Sequence, residues 1–199
     1  DRFLLSGSLK YQFNDWLNTE ARLGSDMYYT TIDNKTYAGS PLTTDGKGSY
    51  SFGSNNFYEN NYMLSLNARK DNLWGKWGGA ASLFGQIMTT KSEYKVTDIG
   101  QLIVPNVFNP NNGISNPAIR ATPSKKQINS IFATAELSYN NLWFLNLTGR
   151  NDWSSALSKK NRSFFYPSVN TSLILTDLIT KNGGTLPDWW NYAKIRGSY

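Results

Sequence analysis

The sequence predicts an all-β chain: antiparallel, up-and-down strands, about eight of them, making a segment of a transmembrane β-barrel. Three observations predict it. Apolar and polar side chains alternate with a period of two through one segment after another, so each strand is apolar on one side and polar on the other. The connections run short, long, short, long, short, medium, medium, and an up-and-down barrel sorts its connections in this way, with short turns at one end and long loops at the other. Aromatic residues gather at the predicted strand ends, as expected of rings that favour the water–lipid boundary.

The first strand spans about 3 to 13, with Phe3, Leu5, Leu9, Tyr11 and Phe13 opposite Ser6, Ser8, Lys10 and Gln12, and Asn14-Asp15 is expected to turn it back. The second, about 16 to 29, sets Leu17, Ala21, Leu23 and Met27 against Asn18, Glu20, Arg22 and Asp26. A Gly-, Ser-, Thr- and Asn-rich segment, 30 to 59, reads as a long loop. The third strand, about 60 to 70, carries Tyr62, Leu64, Leu66 and Ala68 on one side; the fourth, about 77 to 89, carries Trp77, Ala81, Leu83 and Ile87, less cleanly because Phe84 and Met88 fall on its polar side. Residues 90 to 127, with four prolines, read as the longest loop. The fifth and sixth strands, within 128 to 152, are the clearest: Ile131, Ala133, Ala135 and Leu137, then Trp143, Leu145 and Leu147, on either side of the two-residue turn Asn140-Asn141. Loop 152 to 163 leads to a seventh strand, about 164 to 175, and an eighth starts near 192. Strand lengths of 10 to 12 residues suit a tilted crossing of a bilayer.

Composition narrows the chemistry. The chain has 7 Trp, 12 Tyr and 10 Phe but only 17% charged residues, few for an aqueous surface. No run of 18 apolar residues exists, which excludes helical spans and leaves a barrel untouched, since only every second strand residue meets lipid. The net charge of +6 is scattered; its nearest cluster, Lys159, Lys160 and Arg162, reads as a solvated loop and not as the basic stripe of a nucleic-acid binder. With no Cys and no His, disulfides, cysteine- or histidine-based metal sites and Ser-His or Cys-His catalysis are excluded. An enzyme is not expected, nor a cofactor or metal. Asp45-Gly46-Lys47-Gly48 lacks both the carboxylate spacing of a calcium loop and the Gly-Lys-Ser/Thr of a phosphate loop.

The run Leu147-Thr148-Gly149-Arg150-Asn151-Asp152-Trp153-Ser154-Ser155-Ala156-Leu157, followed by Ser163-Phe164-Phe165-Tyr166-Pro167-Ser168-Val169, resembles the SusC/RagA family of TonB-dependent outer-membrane transporters of Bacteroidetes. Lys194-Ile195-Arg196-Gly197-Ser198-Tyr199 is similar to the strand that follows in that family, and Val104-Pro105-Asn106 with Phe108-Asn109 to one of its outer loops. The resemblance implies a plugged barrel of about 22 strands, of which residues 1–199 supply part of the wall, with plug, TonB box and remaining strands elsewhere. It implies uptake of oligosaccharides or peptides, a SusD-like surface lipoprotein as partner, and energy from a TonB complex. Arg150, Asn151, Asp152, Trp153, Ser154, Tyr166, Pro167 and Ser168 are the family motif and are expected to be structural, with Arg150 and Asp152 pairing on one face and Pro167 sitting early in a strand, where its missing N–H is tolerated. Substrate contacts are expected from aromatic residues of the long loops: Tyr37, Tyr50, Phe52, Phe57, Tyr58, Phe108 and Trp153. The alternatives are a small non-transport barrel (an adhesin or anchor), an outer-membrane hydrolase, and a sugar-binding sandwich in water.

Overall fold

The computed structural model describes residues 1–41 and 46–199; Asp45 of the discarded glycine-rich fragment lies outside them. Eight strands form one antiparallel sheet in strict chain order: β1 (Arg2–Asn14), β2 (Leu17–Thr36), β3 (Ser49–Trp74), β4 (Trp77–Gln101), β5 (Ala118–Tyr139), β6 (Trp143–Ser154), β7 (Ser163–Ile174) and β8 (Lys194–Ser198). The sheet is open, with β1 and β8 as its two edges. A helix, α1 (Leu175–Lys181), precedes β8.

Two expectations about length are corrected. Most of segment 30 to 59 belongs to β2 and β3, and most of 90 to 127 to β4 and β5, so these strands have 20, 26, 25 and 22 residues and not 10 to 12. The reason lies in solvent. Where both faces of a sheet are wet, alternation disappears, and Thr-, Asn- and Ser-rich strands pair with no periodic signature. The ordering of connections survives: turns at 15–16, 75–76 and 140–142 alternate with the longer segments 37–48, 102–117 and 155–162.

Two of the short turns show their cause in side chains, and at the third Gly75 supplies a φ of 59°. At Asn140 and Asn141, φ is 53° and 54°, in the left-handed region that Asn tolerates, and Leu142 N donates to Tyr139 O at 2.9 Å; Tyr139 pairs with Trp143, so the turn takes three residues and not the expected two. The first turn is displaced by one residue from its expected place. Asp15 and Trp16 form it, while the Asn14 side-chain oxygen accepts from the backbone N–H groups of Trp16 (3.1 Å) and Leu17 (2.9 Å). An Asn141→Val substitution puts a β-branched residue at positive φ and should cost about 1–2 kcal/mol. Asn141→Gly should be close to neutral, and urea unfolding midpoints of the two variants check this.

The chain divides into two compact units. Unit 1 comprises Asp1–Ser6, Gly24–Asn60 and Thr89–Lys126; unit 2 comprises Gly7–Leu23, Asn61–Met88 and Gln127–Tyr199. Unit 2 holds the short turns and an inverted pattern of burial. Leu64 is 60% exposed beside Ser65 at 3%, and Ile131 is 54% exposed beside Ser130 at 3%. The register makes each face uniform. Ala135, Leu147 and Val169 sit in one row, and Thr134, Thr148 and Ser168 in the row behind it. Across the described residues, the buried hydrophobic side chains are Ile99, Leu102 and Leu142 alone. A sheet in water hides its apolar face against a second layer. This one displays it.

Aromatic rings crowd the turn end of unit 2. Trp77 lies 4.9 Å from Tyr139 and 6.3 Å from Trp143, and Trp74 lies 6.5 Å from Trp77. Trp143 Nε1 donates to Thr171 Oγ1 at 2.9 Å, which satisfies a hydroxyl on the apolar face. Helix α1 is tied to the same end: Lys181 Nζ donates to Asn140 O at 2.6 Å. It closes in a Schellman motif, with Gly184 N to Ile179 O at 2.9 Å, Gly183 N to Thr180 O at 3.1 Å, and Gly183 at φ 84°.

Candidate functional site

Two regions carry the candidate residues. The first is the polar face of unit 2. Arg150 stands directly across β5 from Phe132 and across β7 from Tyr166. Its Nε donates to both Asp152 oxygens, at 2.8 and 3.0 Å, and its Nη2 to Ser130 Oγ at 3.0 Å. The guanidinium also sits 5.1 Å from the centre of the Phe132 ring, whose other neighbour, Phe84, stacks on it at 4.2 Å and 8°. Phe84, the residue that spoiled the alternation of its strand, is thus one half of an aromatic platform under a cation. The Arg150–Asp152 pair satisfies itself, as expected of charges on a wall that needs them balanced. Of the remaining motif residues, Asn151 exchanges hydrogen bonds with Ser163, Pro167 lies opposite Gly149 within β7, and Ser168 lies opposite Thr148.

Further along this face the side chains stay polar and mutually bonded. Asn67 donates to Asn18 Oδ1 (3.2 Å) and Ser65 Oγ (3.1 Å), and Arg22 pairs with Glu20 at 2.6 Å. At the start of β8, Lys194 lies 5.3 Å from the centre of the Phe144 ring. No group of acidic residues able to hold a metal ion occurs among the described residues.

The second region is in unit 1, where four candidates come together, Tyr37 and Phe108 from connections and Tyr50 and Phe52 from the start of β3. Phe108 packs 5.0 Å from Tyr37 and 5.9 Å from Tyr50, and Tyr50 stacks 5.6 Å from Phe52. The Lys35 ammonium lies 5.9 Å from the Phe108 ring centre. Asn106 Oδ1 accepts from Ala38 N at 2.8 Å and so ties segment 102–117 to segment 37–48. Lys35 also donates to Asp33 at 2.7 Å and, through that hydrogen bond, holds the carboxyl below the usual carboxylate range; Lys95 acts likewise on Glu93. Two more candidates form separate pairs: Phe57 stacks on Tyr28 at 4.8 Å, and the Tyr58 hydroxyl donates to that of Tyr29 at 2.8 Å. Trp153 joins neither group. It belongs to unit 2 and faces Asn129 and Ser163 across the sheet, on the apolar side. The sequence reading missed Phe84, Phe132 and Lys35 as partners, although Phe84 had left a signal by breaking its pattern.

This geometry, an antiparallel sheet in chain order whose unit 2 has one exposed apolar face and one polar face, defines the class: a segment of an up-and-down transmembrane-type β-barrel. Among solved structures, the chain superposes on that of the RagAB peptide transporter with a TM-score of 0.83 over 99% of its own length, at 13% identity and covering 23% of that chain. The RagAB peptide importer in its "closed-closed" and "open-open" states gives a TM-score of 0.76 in each case, at 15% identity, over 99% of this chain and 22% of the other. The chain therefore has the fold of a barrel piece of these proteins, which bears out at the level of fold the resemblance to the SusC/RagA family, and it spans about a quarter of their length. No protein-family model and no curated protein matches it.

Proposed function

We propose that the chain is part of the wall of an outer-membrane, TonB-dependent importer that works with a surface lipoprotein and takes up oligosaccharides or peptides. One observation carries this reading: the exposed apolar face of unit 2, backed by a self-satisfied polar face. Such a sheet fits hydrocarbon on one side and a watery, plugged interior on the other. Every backbone N–H and C=O in hydrocarbon needs a partner, so the edges β1 and β8 are to be continued by further strands of a longer chain. Tyr37, Tyr50, Phe52 and Phe108 are the solute contacts in this reading, and their rings suit sugar faces and aromatic or proline side chains of peptides alike.

The test is direct. The full-length protein, purified from outer membranes with its partner lipoprotein, is titrated calorimetrically with a panel of oligosaccharides and of oligopeptides. Saturable binding of one panel is expected and fixes the solute class. Fractionation of the protein away from the outer membrane, or no binding to either panel by the intact pair, would refute the importer reading.

A further inference from the structure

The exposed apolar face of unit 2 is not smooth. A hollow of about 940 Å³ opens on it, floored by Gly7 and Gly85 and walled by Leu9, Leu23, Leu64, Ile87, Ile131 and Trp153. Glycine makes the floor. A Cβ built on Gly85 meets nothing within 4 Å, and one on Gly7 only touches Leu23 at 3.8 Å, so neither glycine is demanded by packing. At its Trp153 end the hollow shares Asn129 with a second, polar recess of about 490 Å³, lined by Gln127, Ser154, Ser155 and Arg162. That recess is fixed by hydrogen bonds: Gln127 N donates to Ser155 Oγ at 2.8 Å, Gln127 Nε2 to Asn129 Oδ1 at 2.9 Å, and Ser154 N to Arg162 O at 3.0 Å.

Charge gives the second half of the argument. Arg162 lines the recess, Lys159 and Lys160 precede it in the same connection, and no carboxylate occurs from Trp153 to Thr176. Among the described residues, none of the three cations takes part in a salt bridge. An apolar trough leading to an uncompensated cationic rim has the shape of one kind of ligand. We propose that this face seats a single phosphate-bearing acylated lipid, its chain in the glycine-floored hollow and its phosphate in the recess beside Arg162, with Lys159 and Lys160 above it. Trp153 marks the level of the headgroup, as indole rings do at a lipid boundary. The site differs from the surrounding lipid contact in demanding both halves at once: a depression for the chain and an anion for the rim.

The proposal rests on the membrane-spanning reading, and the test separates the two. The intact protein containing this chain is purified from membranes in mild detergent, stripped of lipid, and titrated by native mass spectrometry with dioleoyl phosphatidic acid and with dioleoylglycerol. One phosphatidic acid is expected to bind at least tenfold more tightly than the uncharged lipid. Gly85→Phe, whose Cβ meets nothing within 4 Å, puts a ring into the hollow and should weaken both by about tenfold. The triple variant Lys159→Ala, Lys160→Ala, Arg162→Ala should bring phosphatidic acid down to the level of dioleoylglycerol and leave the latter unchanged. Membrane-localised variants that bind phosphatidic acid as the parent does would overturn the lipid seat alone, whereas a parent protein absent from the membrane fraction would overturn the barrel reading with it.

Discussion

Replacing Leu147 by arginine should destabilise the membrane-inserted protein by about 2–4 kcal/mol, while arginine at the adjacent Thr148 should be nearly silent. The two residues are neighbours in β6 and point to opposite sides. Leu147 lies between Ala135 and Val169, and Thr148 between Thr134 and Ser168. Leu147 is also near the middle of β6, with Trp143 at one end and Trp153 near the other, so a charge there has the farthest to reach for water. Urea unfolding of the full-length protein in lipid bilayers measures the difference. Equal losses at 147 and 148 would mean that both faces meet the same solvent, and the inside-out sheet would be the wrong description. An aqueous sheet predicts the opposite outcome for Leu147, which is 40% exposed and would accept arginine at little cost.

The second large effect is expected in unit 1. Phe108 is the centre of the aromatic cluster, in contact with both Tyr37 and Tyr50. The double change Tyr50→Ala, Phe108→Ala removes the rings that join segment 102–117 to the start of β3 and should weaken solute binding by tenfold or more, about 1.4 kcal/mol. The unfolding midpoint should move less, because an aromatic pair is worth about 0.5–1.5 kcal/mol and the apolar band of unit 2 is unaffected. Tyr50→Phe keeps the ring and drops the hydroxyl, so it separates stacking from hydrogen bonding. Full binding by the double variant would move the contact surface to the polar face around Phe84, Phe132 and Arg150. Deleting residues 102–117 is a coarser version of the same experiment, with the boundaries now set by the ends of β4 and β5.

How much of this was legible depended on the solvent each stretch meets. In β5 and β6 one face is apolar throughout, so period two was visible, and the Asn140-Asn141 turn announced itself by residue type. In residues 30–36, 49–59 and 90–101 polar residues fall on both faces and the apolar ones keep no sustained period of two. A strand of that kind has the composition of a loop, and only the pairing reveals it. Helix α1 was missed for another reason. Its seven residues are too few for a helical period, although Asp177 in its first turn, Lys181 in its last and Gly183-Gly184 after it form a recognisable ending. Among candidate residues, Tyr37 and Phe108 lie in connections and Tyr50 and Phe52 in β3, and pairing of the strands brings the four rings together. Trp153 stands apart from them: position near a loop says nothing about side, and the parity that places Asn129 and Ile131 on the apolar face places Trp153 there too.

The unbroken strand order has a kinetic meaning. Because each strand pairs only with its neighbours in the chain, no step of assembly has to wait for a distant partner. Hairpins closed by two or three residues form in microseconds and incur little loop-closure entropy. The pairs β1–β2, β3–β4 and β5–β6 are therefore natural modules of insertion. Joining one to the next across segments 37–48 and 102–117 is the slower, entropically costlier event, and a growing wall should advance two strands at a time.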